Sequence, residues 1–253
     1  MDREEILARL HLHAVLPRIG DLVMLDPQAR AIAGGWRAKI QLSVFRGPTA
    51  HLAFDGGYVA HHRLGAAPPS LGLSFHSCKA LNTMFQGGKA VPIPWFGLWR
   101  IDLIKGFTQL SERLDHLLKD PDQHRDDPEL FPLVVRLMAR TAFDGVSVLA
   151  EHDPHCASMA ARIADGVAVM RIRDTDIAVS MTVRNREFTT SAGEASNPNV
   201  ILEFKDLDTA YELFQGRLEA MAALGSGDVK ITGLIPMFDE MSAIMDVLGR
   251  YLG

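Results

Sequence analysis

The stretch Ser77-Cys78-Lys79-Ala80-Leu81-Asn82-Thr83-Met84-Phe85-Gln86-Gly87 sets the organisation of the chain, because its pattern returns 129 residues later. The second copy is Asp206-Leu207-Asp208-Thr209-Ala210-Tyr211-Glu212-Leu213-Phe214-Gln215-Gly216. Each copy begins with a helix-capping side chain, carries apolar residues at i, i+3 and i+4, and stops at a glycine. Each therefore predicts one short amphipathic helix, and the repetition predicts two similar halves.

Composition excludes several classes of protein. Of the 253 residues 47% are hydrophobic, which argues against a disordered chain. The net charge is −5 and the basic residues are scattered, so no nucleic-acid partner is expected. Cys78 and Cys156 cannot form a disulfide framework, and residues 1–6 are too charged for a signal peptide. No apolar run is long enough for a transmembrane segment, and we expect a cytoplasmic protein.

Alternation predicts the strands of the first half. Apolar and polar residues alternate strictly from Trp36 to Val44, as in a strand with one buried face. Two further strands and a fourth strand over 71–75 precede the Ser77 helix. Beyond it, the pattern predicts a fifth strand over 98–104 and a closing helix over 107–118.

A charged connector at 119–129, with Pro121 and Pro128, separates the halves. The predicted domains are residues 1–120 and 129–253. The same signals return after the connector: Asp153-Pro154 repeats the helix start Asp26-Pro27, a last strand covers 229–232, and a final helix starts at Pro236.

The second half resembles the sterol carrier protein (SCP-2-like) domain family. The resemblance rests on Phe204-Lys205-Asp206-Leu207-Asp208 through Phe214-Gln215-Gly216, on Ser226-Gly227-Asp228-Val229-Lys230-Ile231-Thr232-Gly233, and on the amphipathic last helix. It is closest over 165–253. It is weaker over 34–118, where Pro92, Pro94 and Trp95 replace the family's second short helix and turn.

The resemblance implies an α+β fold in two tandem copies. Each copy would be a five-stranded, mostly antiparallel sheet covered by helices on one face, with a hydrophobic tunnel for a sterol, fatty acid or acyl-CoA. The family supplies no catalytic residues, so it implies a non-catalytic lipid-binding or lipid-transport protein without a cofactor. The predicted ligand-binding residues lie between the 206–216 helix, the 229–232 strand and the 236–250 helix: Leu207, Tyr211, Phe214, Met221, Leu224, Val229, Ile231, Met237, Phe238, Met241 and Met245.

The second copy is predicted to be the binding copy, with one lipid per chain. Trp95, Phe96 and Trp99 bring large rings to the first copy, and we expect them to fill its tunnel. The second copy has the small residues 225–227 there, followed by methionines on a movable terminal helix. Phe214 is expected to be deeply buried.

Other interpretations of the same residues stay open. The apolar stripes are typical of an ordinary protein core as well as of a cavity lining. The run His152-Asp153-Pro154-His155-Cys156 resembles a metal site, but its Asp-Pro pair is better explained as a helix start, and no metal is expected. Two functions compete with a carrier: an accessory enzyme acting on a lipid-like substrate, and a structural module with filled cavities. A homodimer is left open.

Overall fold

A computed structural model describes residues 2–252. The chain divides into two compact units, Met1–His124 and Arg125–Gly253. The two units are called unit 1 and unit 2 below, and each is described by itself. None of the described helices is both long enough and apolar enough to cross a lipid bilayer.

Unit 1 is built from five helices and five strands, together with a π-helical turn at His11–Val15 and a 3₁₀ turn at Pro121–His124. The elements in chain order are α1 (Arg3–Leu10), α2 (Arg18–Leu25), α3 (Pro27–Ala33), β1 (Arg37–Val44), β2 (Thr49–Asp55), β3 (Tyr58–His62), β4 (Leu71–Phe75), α4 (Cys78–Phe85), β5 (Ile93–Phe96) and α5 (Ile101–Lys119).

Unit 2 repeats this kind of arrangement. Its elements are α6 (Leu130–His152), α7 (Pro154–Ala160), β6 (Gly166–Ile172), β7 (Ala178–Arg184), β8 (Glu187–Ala192), β9 (Val200–Phe204), α8 (Leu207–Phe214), α9 (Ala220–Ser226), β10 (Val229–Gly233) and α10 (Ile235–Leu252). The protein is therefore of the α+β class, as the sequence predicts.

Each unit holds one mixed five-stranded sheet. The strand order is β3-β2-β1-β4-β5 in unit 1 and β8-β7-β6-β9-β10 in unit 2. The parallel neighbours are β1 and β4 in unit 1 and β6 and β9 in unit 2, which are the first and fourth strands of each unit in chain order. All other neighbouring strands are antiparallel. In both sheets the first strand therefore lies at the centre, between its hairpin partner and the strand that precedes the short capped helix.

The sheet of unit 1 has one covered face. Along β1, Ala38, Ile40, Leu42 and Val44 are buried, whereas the residues between them are exposed or half-buried. This alternation follows from the two-residue period of a strand, and it places the apolar set against the helices.

The fifth strand of unit 1 differs from the prediction. Residues 98–104 do not form a strand, because α5 already begins at Ile101. The strand is instead β5, and it contains Pro94. Proline has no backbone N–H to donate to a neighbouring strand. Since β5 lies at the edge of the sheet and has a neighbour on one side only, it can accommodate Pro94.

The short helices begin at the residues expected. The Ser77 hydroxyl accepts from the N–H of Ala80 at 3.2 Å, and the Asp206 carboxylate accepts from the N–H of Thr209 at 2.8 Å. Gly87 and Gly216 follow with φ of +79° and +67°, the left-handed conformation that glycine tolerates best. The repeated stretches therefore form helices of matching length.

Candidate functional site

The predicted site of unit 2 lies at the β9–β10 edge of its sheet. In the antiparallel register Val229 pairs with Phe204, and Ile231 pairs with Leu202. Residues paired in this way present their side chains to the same face. Phe204, Leu202 and Val229 are buried, and Ile231 is half-buried. Two of the predicted residues thus extend the apolar face of β9.

Helix α10 supplies the methionines. Met237 and Met241 are buried, and Phe238 and Met245 are half-buried. Their spacing of four residues puts Met237, Met241 and Met245 on one side of the helix. This side belongs to the face by which α10 packs on α6, α7 and β9.

Helix α10 makes several contacts with the rest of unit 2 that are not evident from the sequence. The Arg162 guanidinium donates to both carboxylate oxygens of Glu240, at 2.6 and 2.7 Å. Near the other end, the Tyr251 hydroxyl donates to Asp153 at 2.9 Å. Between them, a Cβ at Gly145 of α6 would come within 2.6 Å of Leu248. The description of α10 as a movable helix is therefore corrected.

In helix α8 the buried aromatic residue is Tyr211. It has no exposed surface, and its ring lies 5.3 Å from that of Phe131 on α6. Phe214 is only half-buried, with its ring 5.9 Å from Phe204, so the prediction of a deeply buried Phe214 is wrong. The reason is the place of each residue along the helix. Ala210 and Tyr211 lie in the middle of the side of α8 that faces the core, whereas Leu207 and Phe214 lie at its two ends.

Two arginines lie against Tyr211, and one of them, Arg125, could not be predicted from the sequence. Arg125 and Arg217 each place the guanidinium carbon 5.6 Å from the centre of the Tyr211 ring. Glu212 accepts from Arg125 at 2.6 Å and lies 3.7 Å from Arg217. Arg217 is close in sequence, but Arg125 comes from the connector, and no spacing rule links it to α8. The charged group stands beside the predicted site.

Helix α9 separates the remaining predicted residues. Leu224 is half-buried, whereas Met221 is 72% exposed and lies on the outer side of the helix. The buried residue of α9 is Ala223, which was not predicted. Met221 is therefore not part of the buried face formed by the other predicted residues.

Two open grooves are described, one in each unit, and neither contains a predicted ligand-binding residue. The groove of unit 2 has a volume of about 420 Å³ and is lined by residues 171–178, 193, 194 and 203. Arg171 donates to Glu203 at 2.8 Å and to Glu194 at 3.0 Å. The pKa of Glu203 is lowered chiefly by its hydrogen bonds to Arg171 and Arg173. This groove is thus a surface of paired charges.

The run His152–Cys156 behaves as a helix start. The Asp153 carboxylate accepts from the N–H groups of His155 and Cys156 at 2.9 and 3.0 Å. Burial raises the pKa of the Cys156 thiol to about 12. Over residues 2–252, no three His, Cys, Asp or Glu side chains are grouped as metal ligands would be.

The aromatic residues of unit 1 do not fill a cavity. Trp95 is 49% exposed and Trp99 is 71% exposed. A Cβ at Gly72 would lie 2.5 Å from the Trp95 ring. Since Leu71 and Leu73 face the core, Gly72 and the ring above it are on the opposite face of the sheet. The expectation that these rings fill a tunnel is therefore wrong.

Comparison with known proteins finds a family similarity for part of unit 2. Residues 146–246 match the model of the SCP-2 sterol transfer family. A comparison with curated proteins gave no match. Among solved structures, the chain is similar to the "UbiJ-SCP2 Ubiquinone synthesis protein", with 14% identity over 42% of this chain and 85% of that one, at a TM-score of 0.34.

Two further similar structures are sterol carrier proteins by title. The sterol carrier protein domain 2 of Helicoverpa armigera is 12% identical over 44% of this chain and 87% of that one, at a TM-score of 0.36. A structure titled sterol carrier protein 2 is 22% identical over 42% and 89%, at 0.33. These TM-scores are low, and the assignment rests on the family match. Residues 146–246 are thus the part of the chain that is similar to the SCP-2 sterol transfer family.

Proposed function

We propose that unit 2 binds and carries an apolar small molecule of the sterol, fatty acid or acyl-CoA type. The observation that carries this proposal is the match of residues 146–246 to a sterol transfer family. The match includes β9, β10 and most of α10, whose apolar faces meet at one edge of the sheet. Burial of ligand surface would drive binding, at about 25 cal/mol per Å².

The ligand is proposed to lie between α8, β10 and α10. Val229, Ile231, Met237 and Met241 supply its apolar contacts. The methionines suit a varied ligand because their side chains are flexible and polarisable. Arg125 and Arg217 lie beside Tyr211, where Asp208 and Glu212 already pair with them, so an acidic head group would have to compete with these carboxylates.

Unit 1 is proposed to be a diverged second copy of the same domain. The shared strand order, with the parallel pair in the same place, supports this proposal. The family model matches residues of unit 2 alone, and we therefore propose one ligand per chain. We further propose that the protein carries its ligand without converting it, and that it acts in the cytoplasm with both cysteines as free thiols.

One observation favours a structural module instead. Tyr211, a predicted ligand contact, is fully buried against Phe131 of α6 and so already has a protein partner. If the rest of the site is filled in the same way, the domain would serve assembly alone. Ligand binding by the purified chain separates the two functions.

The first experiment measures stoichiometry. Native mass spectrometry of the full chain with a fatty acid should show one bound molecule, and solvent extraction of the purified protein should release an apolar compound. Two bound molecules would contradict the single-site proposal. The absence of both extractable lipid and saturable binding would favour the structural module.

The second experiment locates the site with a matched pair of variants. Ile231→Gln changes the side chain that shares a face with Leu202, whereas Ile201→Gln changes a half-buried neighbour on the other face of β9. Ile231→Gln should weaken binding of a fluorescent fatty acid about tenfold, the effect of losing about 1.4 kcal/mol of apolar contact. Ile201→Gln should leave it unchanged. Equal effects would place the ligand elsewhere.

A further inference from the structure

Unit 1 presents a run of apolar side chains to solvent. Between residues 91 and 101 six large apolar residues are exposed by 49% to 84%: Val91, Ile93, Trp95, Leu98, Trp99 and Ile101. Single exposed apolar residues are ordinary, but a contiguous group of this kind marks an interaction surface. We refer to it as the 91–101 segment.

The segment is a structured part of the fold. Phe96 lies between the tryptophans, with ring centres 6.1 Å from Trp95 and 5.4 Å from Trp99. Trp95 also lies against the backbone of Gly72 in the neighbouring strand. The rings therefore form a connected platform whose shape exists before anything binds to it.

The backbone of the segment is poorly suited to pairing with another strand. β5 is an edge strand, and edge strands attract a further strand through unpaired N–H and C=O groups. Pro92 and Pro94 have no N–H to offer. The segment therefore offers its side chains, and a partner that contacts side chains fits it better than an added strand.

The charge of residues 76–105 is opposite to that of the whole chain, although α1, which packs on α4, places Asp2, Glu4 and Glu5 near Cys78. Residues 76–105 contain four basic residues and one acidic residue, a net charge of +3, whereas the whole chain carries −5. Arg100 is paired with Asp102 at 2.8 Å. The excess positive charge therefore lies on Lys79, Lys89 and Lys105.

Two of these lysines line the groove of unit 1. This open groove has a volume of about 370 Å³ and is lined by His76, Ser77, Lys79, Ala80, Thr83, Lys89, Ala90 and Val91. Val91 belongs both to the groove and to the 91–101 segment. A basic, hydroxyl-lined depression thus continues directly into the exposed apolar residues.

We propose that this surface docks unit 1 on an anionic lipid bilayer. The tryptophans and aliphatic residues enter the interfacial region, where amphipathic aromatic rings are favoured. Lys79, Lys89 and Lys105 meet the lipid phosphates, since an anionic bilayer surface attracts basic residues that lie beside it. The surface lies outside the residues that match the sterol transfer family, so this proposal is independent of ligand binding by unit 2.

Sedimentation of the full chain with vesicles tests the proposal. Binding should be strong to phosphatidylcholine vesicles that contain phosphatidylglycerol, weak to phosphatidylcholine alone, and reduced by salt. Trp99→Ser should weaken binding about tenfold. Lys89→Gln should weaken it about fivefold, the usual contribution of one lysine at such a surface. Tyr58→Ser, which removes an exposed ring on β3, at the edge of the sheet opposite β5, is the matched control and should bind normally.

Tryptophan emission provides a second readout. Vesicles carrying brominated acyl chains should quench the emission of the parent protein, and Trp95→Phe and Trp99→Phe should each lose part of this quenching. The proposal is overturned if anionic vesicles do not bind, or if Tyr58→Ser is as defective as Trp99→Ser. It is also overturned if the parent is a dimer that Trp99→Ser converts to a monomer without any change in vesicle binding, because the segment would then contact a second copy.

Discussion

The carboxylate of Asp153 accepts a hydrogen bond of 2.9 Å from the hydroxyl of Tyr251, which joins the start of α7 to the last turn of α10. Unit 1 has a comparable contact, since Asp26 at the start of α3 accepts from Arg113 of α5 at 3.2 Å. In both units, an Asp-Pro helix start is held by the closing helix. The capping aspartate thus stabilises tertiary structure as well as its own helix.

Removing the Tyr251 hydroxyl should loosen α7 and α10. Burial acts to raise the pKa of Asp153, but hydrogen bonds from the Cys156 N–H and the Tyr251 hydroxyl outweigh it and lower the pKa. Tyr251→Phe leaves this buried carboxylate one donor short, at a cost of about 1–3 kcal/mol. Hydrogen exchange in residues 154–160 should become at least about fivefold faster. Tyr58→Phe, on an exposed ring of unit 1, should leave that exchange unchanged.

The order of stability losses along α8 should follow burial. Tyr211→Ala removes a fully buried ring and should cost about 3–5 kcal/mol. Phe214→Ala removes a half-buried ring and should cost about 1–2 kcal/mol. Urea denaturation followed by circular dichroism gives both values. A Phe214→Ala protein less stable than Tyr211→Ala would contradict the orientation of α8 described above.

Unit 1 should lose stability as the solution is acidified. Burial lowers the pKa of His11 to about 4, against the raising effect of its hydrogen bond to Asn82. Between pH about 6.5 and about 4, the unfolded chain binds a proton at this position that the folded chain does not. Neutral His11 therefore makes its full contribution to the free energy of unfolding above pH about 6.5. This contribution is lost as the pH falls towards about 4, and the total loss is about 3 kcal/mol.

Tryptophan emission during urea unfolding reports on unit 1, because all three tryptophans lie there. His11→Gln should reduce the dependence of the unfolding free energy on pH in this range by about half, because burial also lowers the pKa of His61 to about 4, and the exposed His76→Gln should leave it unchanged. If both variants keep the slope of the parent, His11 does not contribute to it.

Gly145 of α6, at the contact with α10, and Gly249 on the exposed side of α10 should respond differently to substitution. A Cβ at Gly145 would lie 2.6 Å from Leu248, whereas a Cβ at Gly249 would meet nothing within 4 Å. Gly145→Ala should therefore destabilise unit 2 by about 1–3 kcal/mol through overpacking. Gly249→Ala should be neutral or slightly stabilising, as expected for this change within a helix. Thermal unfolding of the pair would show whether α10 packs as closely as described.

Local patterns predicted most of the elements. Ser77 and Asp206 marked helix starts correctly because a cap is a contact within one turn. The strand over 37–44 was predicted because its alternation is a property of neighbouring residues. The predicted fifth strand over 98–104 is misplaced because β5 contains Pro94, and only the sheet order shows that Pro94 lies at an edge, where a strand tolerates proline.

The candidate site was predicted less completely. The sequence predicts Ala210, Leu213 and Phe214 as the apolar face of α8, whereas the buried residues are Ala210 and Tyr211, because α6 packs on that side. The exposure of Trp95 and Trp99 likewise follows from their position on the outer face of the sheet, which hydrophobicity alone cannot reveal. Arg125 reaches Tyr211 only through the fold.

The parallel pairs have a consequence for the order of folding. β6 pairs with β7 through a short hairpin, but its other neighbour, β9, is 32 residues away along the chain. Closing that longer loop costs more conformational entropy than forming the hairpin. We expect β6–β8 to become protected first during refolding, in pulse-labelling hydrogen exchange, with β9 and β10 joining later. The edge on which the proposed ligand would lie is therefore the last part of the sheet to exist.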